Sequence, residues 1–175
     1  PKRLKKRIKF IIIHYTGMKK ELDSIKKLQS PGSKVSSHYL IKKNGEILIL
    51  VPDLYEAWHA GVSNWKNHKY LNKNSIGIEI TNPGHQYGYR NFSSKQIFSL
   101  KKLLVSLIRK FKIKKKYILG HSDVSPDRKK DPGEKFPWAK LAKTGLVWFH
   151  NLDTKKIKKF RKVKLSSKFE KNLFL

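Results

Sequence analysis

The sequence predicts an α/β fold in which a mixed central β-sheet is flanked by helices. Apolar runs typical of buried strands alternate along the chain with segments of helical periodicity. One pair of runs reads as a β-hairpin, which adds an antiparallel pair to strands that helices otherwise separate. The chain has 175 residues and a hydrophobic share of 38%, enough for one domain with a core of its own.

The first elements along the chain are a strand and a helix. Residues 8–16, "IKFIIIHYT", form a near-continuous run rich in β-branched residues. This pattern predicts a strand that is buried on both faces at the centre of the sheet. Residues 19–30 carry Leu22, Ile25 and Leu28 at three-residue spacing, which predicts a short amphipathic helix.

A hairpin and a further strand follow. Residues 37–51 contain Asn44-Gly45 between two apolar runs, which is the strongest short signal for a hairpin turn. In residues 74–82, isoleucine alternates strictly with other residue types. This alternation predicts a half-buried strand with Glu79 on the face opposite the isoleucines.

The remaining elements are a long helix, a short strand and a short helix. Residues 92–112 have the clearest helical pattern, and Ser93 and Gln96 have the spacing of a capping box at its start. Residues 116–121 predict a short strand. Residues 136–145 predict a final short helix.

These elements place one domain in residues 1–150, and residues 151–175 are predicted to be a basic tail or a surface helix. The chain carries 41 lysines and arginines and a formal net charge of +29, which points first to an anionic partner. Few of these residues are arginines and the lysines are spread through every segment, so we expect no nucleic-acid partner. Compositional bias and electrostatic contact with an anionic envelope surface both stay open. No apolar run has the roughly 18 residues that a transmembrane segment needs.

Polar residues with metal-binding and acid–base chemistry fall on the predicted strands. His14 and His121 end two of them, and Glu79 lies within a third. Because the chain has no cysteine, two histidines and a carboxylate are the natural ligand set for a catalytic zinc ion. Asp131 and Asp123 both follow His121 closely enough to supply the carboxylate. If Glu79 faces a water molecule in such a site, it can act as a general base.

Two other segments can be interpreted either as ordinary surface or packed structure or as parts of a functional site. Lys129 lies in a basic run that is typical of a solvated surface, but a cation beside a metal can stabilise an oxyanion. Trp58 and His59 lie in a segment without periodicity, which is either a packed loop or the wall of a groove for a sugar or peptide. A Ser-His-Asp triad within "HSD" is excluded because adjacent side chains cannot form one.

Five blocks occur in a fixed order within residues 8–150: "IIIHYT", "SSHYLIKKNGEILILV", "AWHAGVSNW", "NSIGIEITNPG" and "GHSDVSPDRKKDPGEKFPW". Together they resemble the zinc-dependent N-acetylmuramoyl-L-alanine amidases, a family that includes phage lytic amidases and animal peptidoglycan recognition proteins. The last block is most similar to the bacterial recycling and envelope amidases.

The resemblance implies a zinc amidase domain over residues 1–150 and one zinc ion per chain, held by His14, His121 and Asp131. It implies Glu79 as the catalytic acid/base. It also implies that Lys129 is the cation that assists the tetrahedral intermediate.

The resemblance further places Trp58, His59 and Asn82 at a groove for peptidoglycan or muropeptides. The implied reaction is hydrolysis of the amide bond between N-acetylmuramic acid, ordinary or 1,6-anhydro, and L-alanine of stem peptides, in cell-wall turnover or recycling. The alternatives are a non-catalytic peptidoglycan-binding module and a basic nucleic-acid-binding protein. We expect a monomer, and both the bacterial cytoplasm and the envelope stay open as its compartment.

Overall fold

The computed structural model describes residues 1–150 and contains one five-stranded sheet, one two-stranded ladder and four α-helices within that range. The strands are β1 (Phe10–Tyr15), β2 (Tyr39–Ile41), β3 (Ile47–Ile49), β4 (Asn64–Trp65), β5 (His68–Lys69), β6 (Ser75–Ile80) and β7 (Ile118–Gly120). The helices are α1 (Glu21–Gln29), α2 (Ser94–Phe111), α3 (His121–Val124) and α4 (Trp138–Lys143). The predicted tail, residues 151–175, lies outside the described residues.

The strand order of the main sheet is β3-β2-β6-β1-β7. The β2–β3 hairpin is antiparallel, and the other neighbouring strands pair in parallel, so the sheet is mixed as predicted. β1 lies between two neighbours, and its residues are buried up to His14, as its β-branched run predicts. The turn before β3 places Gly45 at φ +91°, a conformation that glycine adopts without a steric penalty.

β6 is more buried than its alternating pattern predicts. It lies between β1 and β2, and both of its faces are covered. The reason lies at Gly77, where an added Cβ would be 2.4 Å from the ring of His59. A side chain from a distant loop therefore fills the space that the non-isoleucine face leaves open.

Helices α1, α2 and α4 lie where the sequence predicts helices, whereas α3 was not predicted, and one of the three apolar residues that predicted α1 is exposed. Leu22 is 68% exposed, and the buried residue of α1 is Ser24. Residues at three-residue spacing step by about 60° around a helix with 3.6 residues per turn, so Leu22 lies about 120° from Leu28. Leu22 therefore falls outside the side of the helix on which Ile25 and Leu28 are half-buried.

α2 has the predicted capping box. Ser93 Oγ accepts from the Gln96 backbone N–H, and Gln96 Oε1 accepts from the Ser93 backbone N–H. The helix packs its leucines into the main core. Within residues 1–150, none of the helices combines the length and the apolar character that crossing a membrane requires.

Candidate metal centre and active-site cleft

The parallel register of the sheet brings the chemically important residues to one end. His14 on β1 pairs with Glu79 on β6, so the two side chains project from the same face of neighbouring strands. On the other side of β1, Ile13 pairs with Gly120. His121 is the next residue and begins α3, where the sequence pattern had placed the end of a strand.

A cluster of three metal-ligating side chains lies at this end of the sheet. His14 Nδ1 is 2.9 Å from Asp131 Oδ2, His121 Nδ1 is 3.0 Å from the same oxygen, and the two nitrogens are 2.9 Å apart. All three residues are buried. Their ligand atoms all lie within 4.8 Å of one another, which is close enough to hold a metal ion.

The rival carboxylate, Asp123, does not join this cluster. Its Oδ2 accepts from the backbone N–H of Gly120 at 2.7 Å, so the side chain caps the start of α3. Asp131 instead returns to the histidines because its loop is fastened there, with the Ser122 N–H donating to the Asp131 carbonyl at 2.9 Å. The loop closure, which local sequence leaves open, therefore selects between the two aspartates.

The pKa shifts of His14 and Asp131 favour the protonation states that suit metal binding. Burial, followed by the neighbouring His121, lowers the pKa of His14 to about 4, so its imidazole is neutral at neutral pH. Burial alone raises the pKa of Asp131, but contacts with the His121 and His14 imidazoles outweigh it and hold the pKa below its usual range. Two imidazole nitrogens and a carboxylate oxygen suit a divalent cation such as zinc.

The far nitrogens of both imidazoles are also engaged. His14 Nε2 lies 3.0 Å from His59 Nδ1, and His121 Nε2 lies 3.2 Å from the carbonyl oxygen of Ala60. Such outer contacts fix the orientation of ligand imidazoles in metal sites. The Nδ1 atoms of His14 and His121 are therefore the ones that face the cluster.

Glu79 differs from the cluster carboxylate because its Oε2 is buried and has no hydrogen-bond partner among the described residues. Burial, followed by the negative charge of Asp131, raises the pKa of Glu79 well above its usual value. The carboxyl lines the same cleft as the cluster. Glu79 can therefore take up a proton readily, and it does so in the cleft that the three cluster residues also line.

A cleft of about 610 Å³ opens over the cluster and Glu79. Trp58 lines one wall and is 51% exposed, as expected of a groove residue. Lys129 is half-buried and lines the cleft near the cluster. Its neighbour Arg128 has a different role, since its guanidinium donates to the carbonyl oxygens of Ala60 and Val62.

Two residues expected to bind substrate have other contacts in the structure. Asn82 is 2% exposed and does not line this cleft; its Nδ2 donates to the Arg90 carbonyl, and its Oδ1 accepts from the Gly84 N–H. His59 is also buried, and both of its ring nitrogens have partners. His59 lines the cleft, but the contacts of its two ring nitrogens are with His14 and Ser75.

Sequence reasoning missed several residues of the cleft wall. Tyr15 follows His14 directly, and its hydroxyl lies 2.9 Å from His85 Nδ1, with both residues at the rim of the cleft. The Tyr15 ring lies over Gly84, where an added Cβ would be 2.6 Å away. Lys27 of α1 also lines the cleft. The glycines of "NPG" and "HYTG" carry a weak signal for this close packing, whereas Lys27 has no distinguishing signal among so many lysines.

The fold and the site together define a class: α/β proteins with a mixed sheet and a His-His-Asp cluster that could hold a metal ion, next to a carboxyl of raised pKa in an open cleft. The chain belongs to the N-acetylmuramoyl-L-alanine amidase family, whose family model matches residues 4–134.

Among curated proteins, the chain is 40% identical over 152 residues to the N-acetylmuramoyl-L-alanine amidase AmiD of Escherichia coli, covering 80% of this chain and 54% of AmiD. It is 42% identical over 106 residues to the 1,6-anhydro-N-acetylmuramyl-L-alanine amidase AmpD of Haemophilus influenzae, covering 60% of this chain and 55% of AmpD. The chain thus spans about half the length of the curated relatives it matches.

Solved structures of the family share the fold. AmpDh3 from Pseudomonas aeruginosa in complex with anhydromuramic pentapeptide has a TM-score of 0.77 and 34% identity, covering 83% of this chain and 63% of that chain. AmiD from E. coli in complex with anhydro-N-acetylmuramic acid-L-Ala-D-γ-Glu-L-Lys has a TM-score of 0.74 and 37% identity, covering 87% of this chain and 62% of that chain. The fold prediction is therefore confirmed.

Proposed function

We propose that this chain is a zinc-dependent amidase that cleaves the bond between N-acetylmuramic acid and L-alanine of peptidoglycan stem peptides. In this proposal residues 1–150 are the catalytic unit, and His14, His121 and Asp131 hold one zinc ion. The observation that carries it is the buried cluster of these three side chains beside Glu79, whose Oε2 has no hydrogen-bond partner within residues 1–150, in a chain of the amidase family.

The proposed roles of the chain's own residues follow from their surroundings. Zinc, when bound, supplies a Lewis acid that activates water and polarises the scissile carbonyl. Glu79 accepts a proton from the attacking water and returns it to the leaving nitrogen, a role that suits a carboxyl whose pKa is raised by burial. Lys129 stabilises the oxyanion that forms as the carbonyl carbon becomes tetrahedral.

The cleft also supports a choice of substrate class. The solved structures of AmpDh3 and AmiD are described as complexes with anhydromuramyl peptides. In this chain the cleft is lined by the exposed indole of Trp58 and by Lys27, Lys129 and Lys130. An indole face packs well on a sugar ring, and the lysines attract the carboxylates of a stem peptide. We therefore place soluble anhydromuropeptides first among its substrates.

Action as a monomer is part of this proposal. The net charge of +29 supports an additional electrostatic attraction to anionic envelope polymers, strongest at low ionic strength.

The test is to incubate the zinc-loaded protein with anhydromuropeptides and, separately, with intact sacculi, and to identify products by mass spectrometry. We expect release of stem peptides with a free L-alanine amino terminus, loss of this activity with a chelator, and its recovery with zinc. Binding of muropeptides without any cleavage would contradict the proposal and would favour a recognition module. Cleavage of sacculi but not of soluble fragments would overturn the substrate choice alone.

A further inference from the structure

The imidazole of His59 is 9% exposed and lies against the metal ligand His14 among the residues that line the cleft. Its Nδ1 is 3.0 Å from His14 Nε2, and its Nε2 is 3.2 Å from Ser75 Oγ. The His14 and His59 rings meet edge to face, with centroids 5.1 Å apart. His59 is therefore the middle member of a buried chain of hydrogen bonds that ends at the cluster.

The direction of this chain is fixed at its far end. The Ser75 hydroxyl lies 2.5 Å from the carbonyl oxygen of Leu71, which can only accept, so the hydroxyl proton is donated there. Ser75 Oγ then has only lone pairs to offer His59, and His59 Nε2 must carry the hydrogen.

The same reasoning continues from His59 to the cluster. His59 is buried, and among the described residues it contacts no carboxylate that would stabilise a second ring proton, so a hydrogen on Nε2 leaves Nδ1 bare. The bare Nδ1 accepts from His14 Nε2–H. The His14 ring thus keeps its Nδ1 lone pair for the position between His121 and Asp131.

The loop that carries His59 also supports the other imidazole ligand. His121 Nε2 donates to the carbonyl oxygen of Ala60, the residue after His59. The backbone N–H groups of His59 and Ala60 both donate to Asn72 Oδ1, at 3.2 and 2.8 Å. One short segment, held by one asparagine, therefore sets the orientation of both histidine ligands.

We propose that His59 is a positioning residue that accepts the Nε2–H of His14 and so holds the His14 imidazole in the tautomer that binds metal. The proposal deepens the proposed function, because it rests on the metal site at His14, His121 and Asp131. It gives His59 no contact with substrate.

The main test compares His59→Asn with His59→Leu. The two replacements have nearly the same shape, and both lose the packing of the ring on Gly77, but only asparagine keeps an acceptor close to the place of Nδ1. Zinc affinity is measured by competition with a chromophoric chelator, with no substrate present. We expect His59→Asn to stay within a few-fold of the wild type and His59→Leu to bind zinc roughly 10- to 100-fold more weakly.

Thermal unfolding of the metal-free variants provides the control for folding. If the two variants unfold at similar temperatures and bind zinc equally, the positioning role is overturned. A difference in zinc affinity between two equally stable variants supports it. Because neither measurement involves amide cleavage, a failure of the proposed enzymatic function would leave this result unaffected.

A second measurement needs no substitution and applies even if His59→Leu does not fold. Long-range ¹H–¹⁵N correlation spectra of the zinc-loaded wild-type protein report the tautomer of each imidazole. We expect the hydrogen of His59 on Nε2, although no metal ligation imposes that state on this ring. A hydrogen on Nδ1 of His59 would overturn the proposal, since the ring could then not accept from His14.

Discussion

The cleft contains two shielded carboxyl groups with opposite properties, Glu79 on β6 and Asp131 on the loop after α3. Asp131 Oδ2 lies within 3.0 Å of two imidazole nitrogens, and these contacts hold its pKa below the usual range in spite of burial. Glu79 Oε2 has no partner among the described residues, and burial raises its pKa. One carboxyl is therefore kept ionised, and the other is ready to gain a proton.

The difference shows that hydrogen-bond partners, rather than residue type or burial, determine the different properties of the two acids. A carboxylate that stays charged between two imidazoles is suited to binding a cation. A carboxyl whose ionised form is penalised by burial is suited to moving protons.

The largest expected effect comes from neutralising each acid separately. Glu79→Gln should lower amidase activity by about 10²- to 10⁴-fold, the usual contribution of a general acid–base, and should leave zinc content unchanged. Asp131→Asn should lose zinc affinity first, and activity with it, because the cluster loses its negative ligand. Activity on anhydromuropeptides and zinc content by metal analysis separate the two results. If the Glu79→Gln variant also lost zinc, the separate roles of the two acids in proton transfer and metal binding would be contradicted.

A smaller effect is expected at the cation next to this pair. Lys129→Met should reduce kcat on the order of 100-fold, as for removal of one oxyanion-stabilising group, with zinc content unchanged. The matched control is Lys102→Met, which removes the same charge from an exposed position on α2 that does not line the cleft. Equal losses in the two variants would indicate a general charge effect and would remove Lys129 from the proposed site.

The smallest expected effect is on the stability of the metal-free protein. The pKa of Glu79 is higher in the folded than in the unfolded chain, so Glu79 contributes fully to stability below its unfolded value near 4.5 and loses that contribution as pH rises through the folded pKa. Glu79→Gln removes this dependence.

The variant and the wild type should therefore unfold at similar temperatures at pH 4. At high pH the variant should gain on the order of 1–3 kcal/mol, the cost of an unsatisfied buried polar group. Thermal unfolding in the presence of a chelator, across this pH range, provides the measurement. A difference between the proteins that does not change with pH would argue against a buried, partnerless Glu79.

Much of the fold could be predicted because its signals are local. The β-branched run of β1, the Asn44-Gly45 turn and the Ser93–Gln96 capping box each depend on neighbours within a few residues. The covering of β6 could not be predicted in this way. It depends on His59, which comes from a loop distant in sequence.

The site residues also differ in whether local sequence or distant contacts determine their positions. The sequence indicates His14 and His121 because both lie near strand ends, but the choice of Asp131 over Asp123 depends on how one loop closes onto α3. His59 has no local pattern to separate an interior imidazole from a groove residue. Its position becomes clear only when the hydrogen-bond partners of both ring nitrogens are known.

The missing side chain at Gly77 has a consequence for sequence design. The His59 ring occupies the volume that a Cβ at position 77 would need. The two positions are therefore coupled, although they are 18 positions apart in the sequence. Any larger residue at 77 displaces the imidazole, and any smaller residue at 59 leaves a void over the middle strand. A substitution of Gly77 would therefore require a redesign of the loop that carries His59 at the same time.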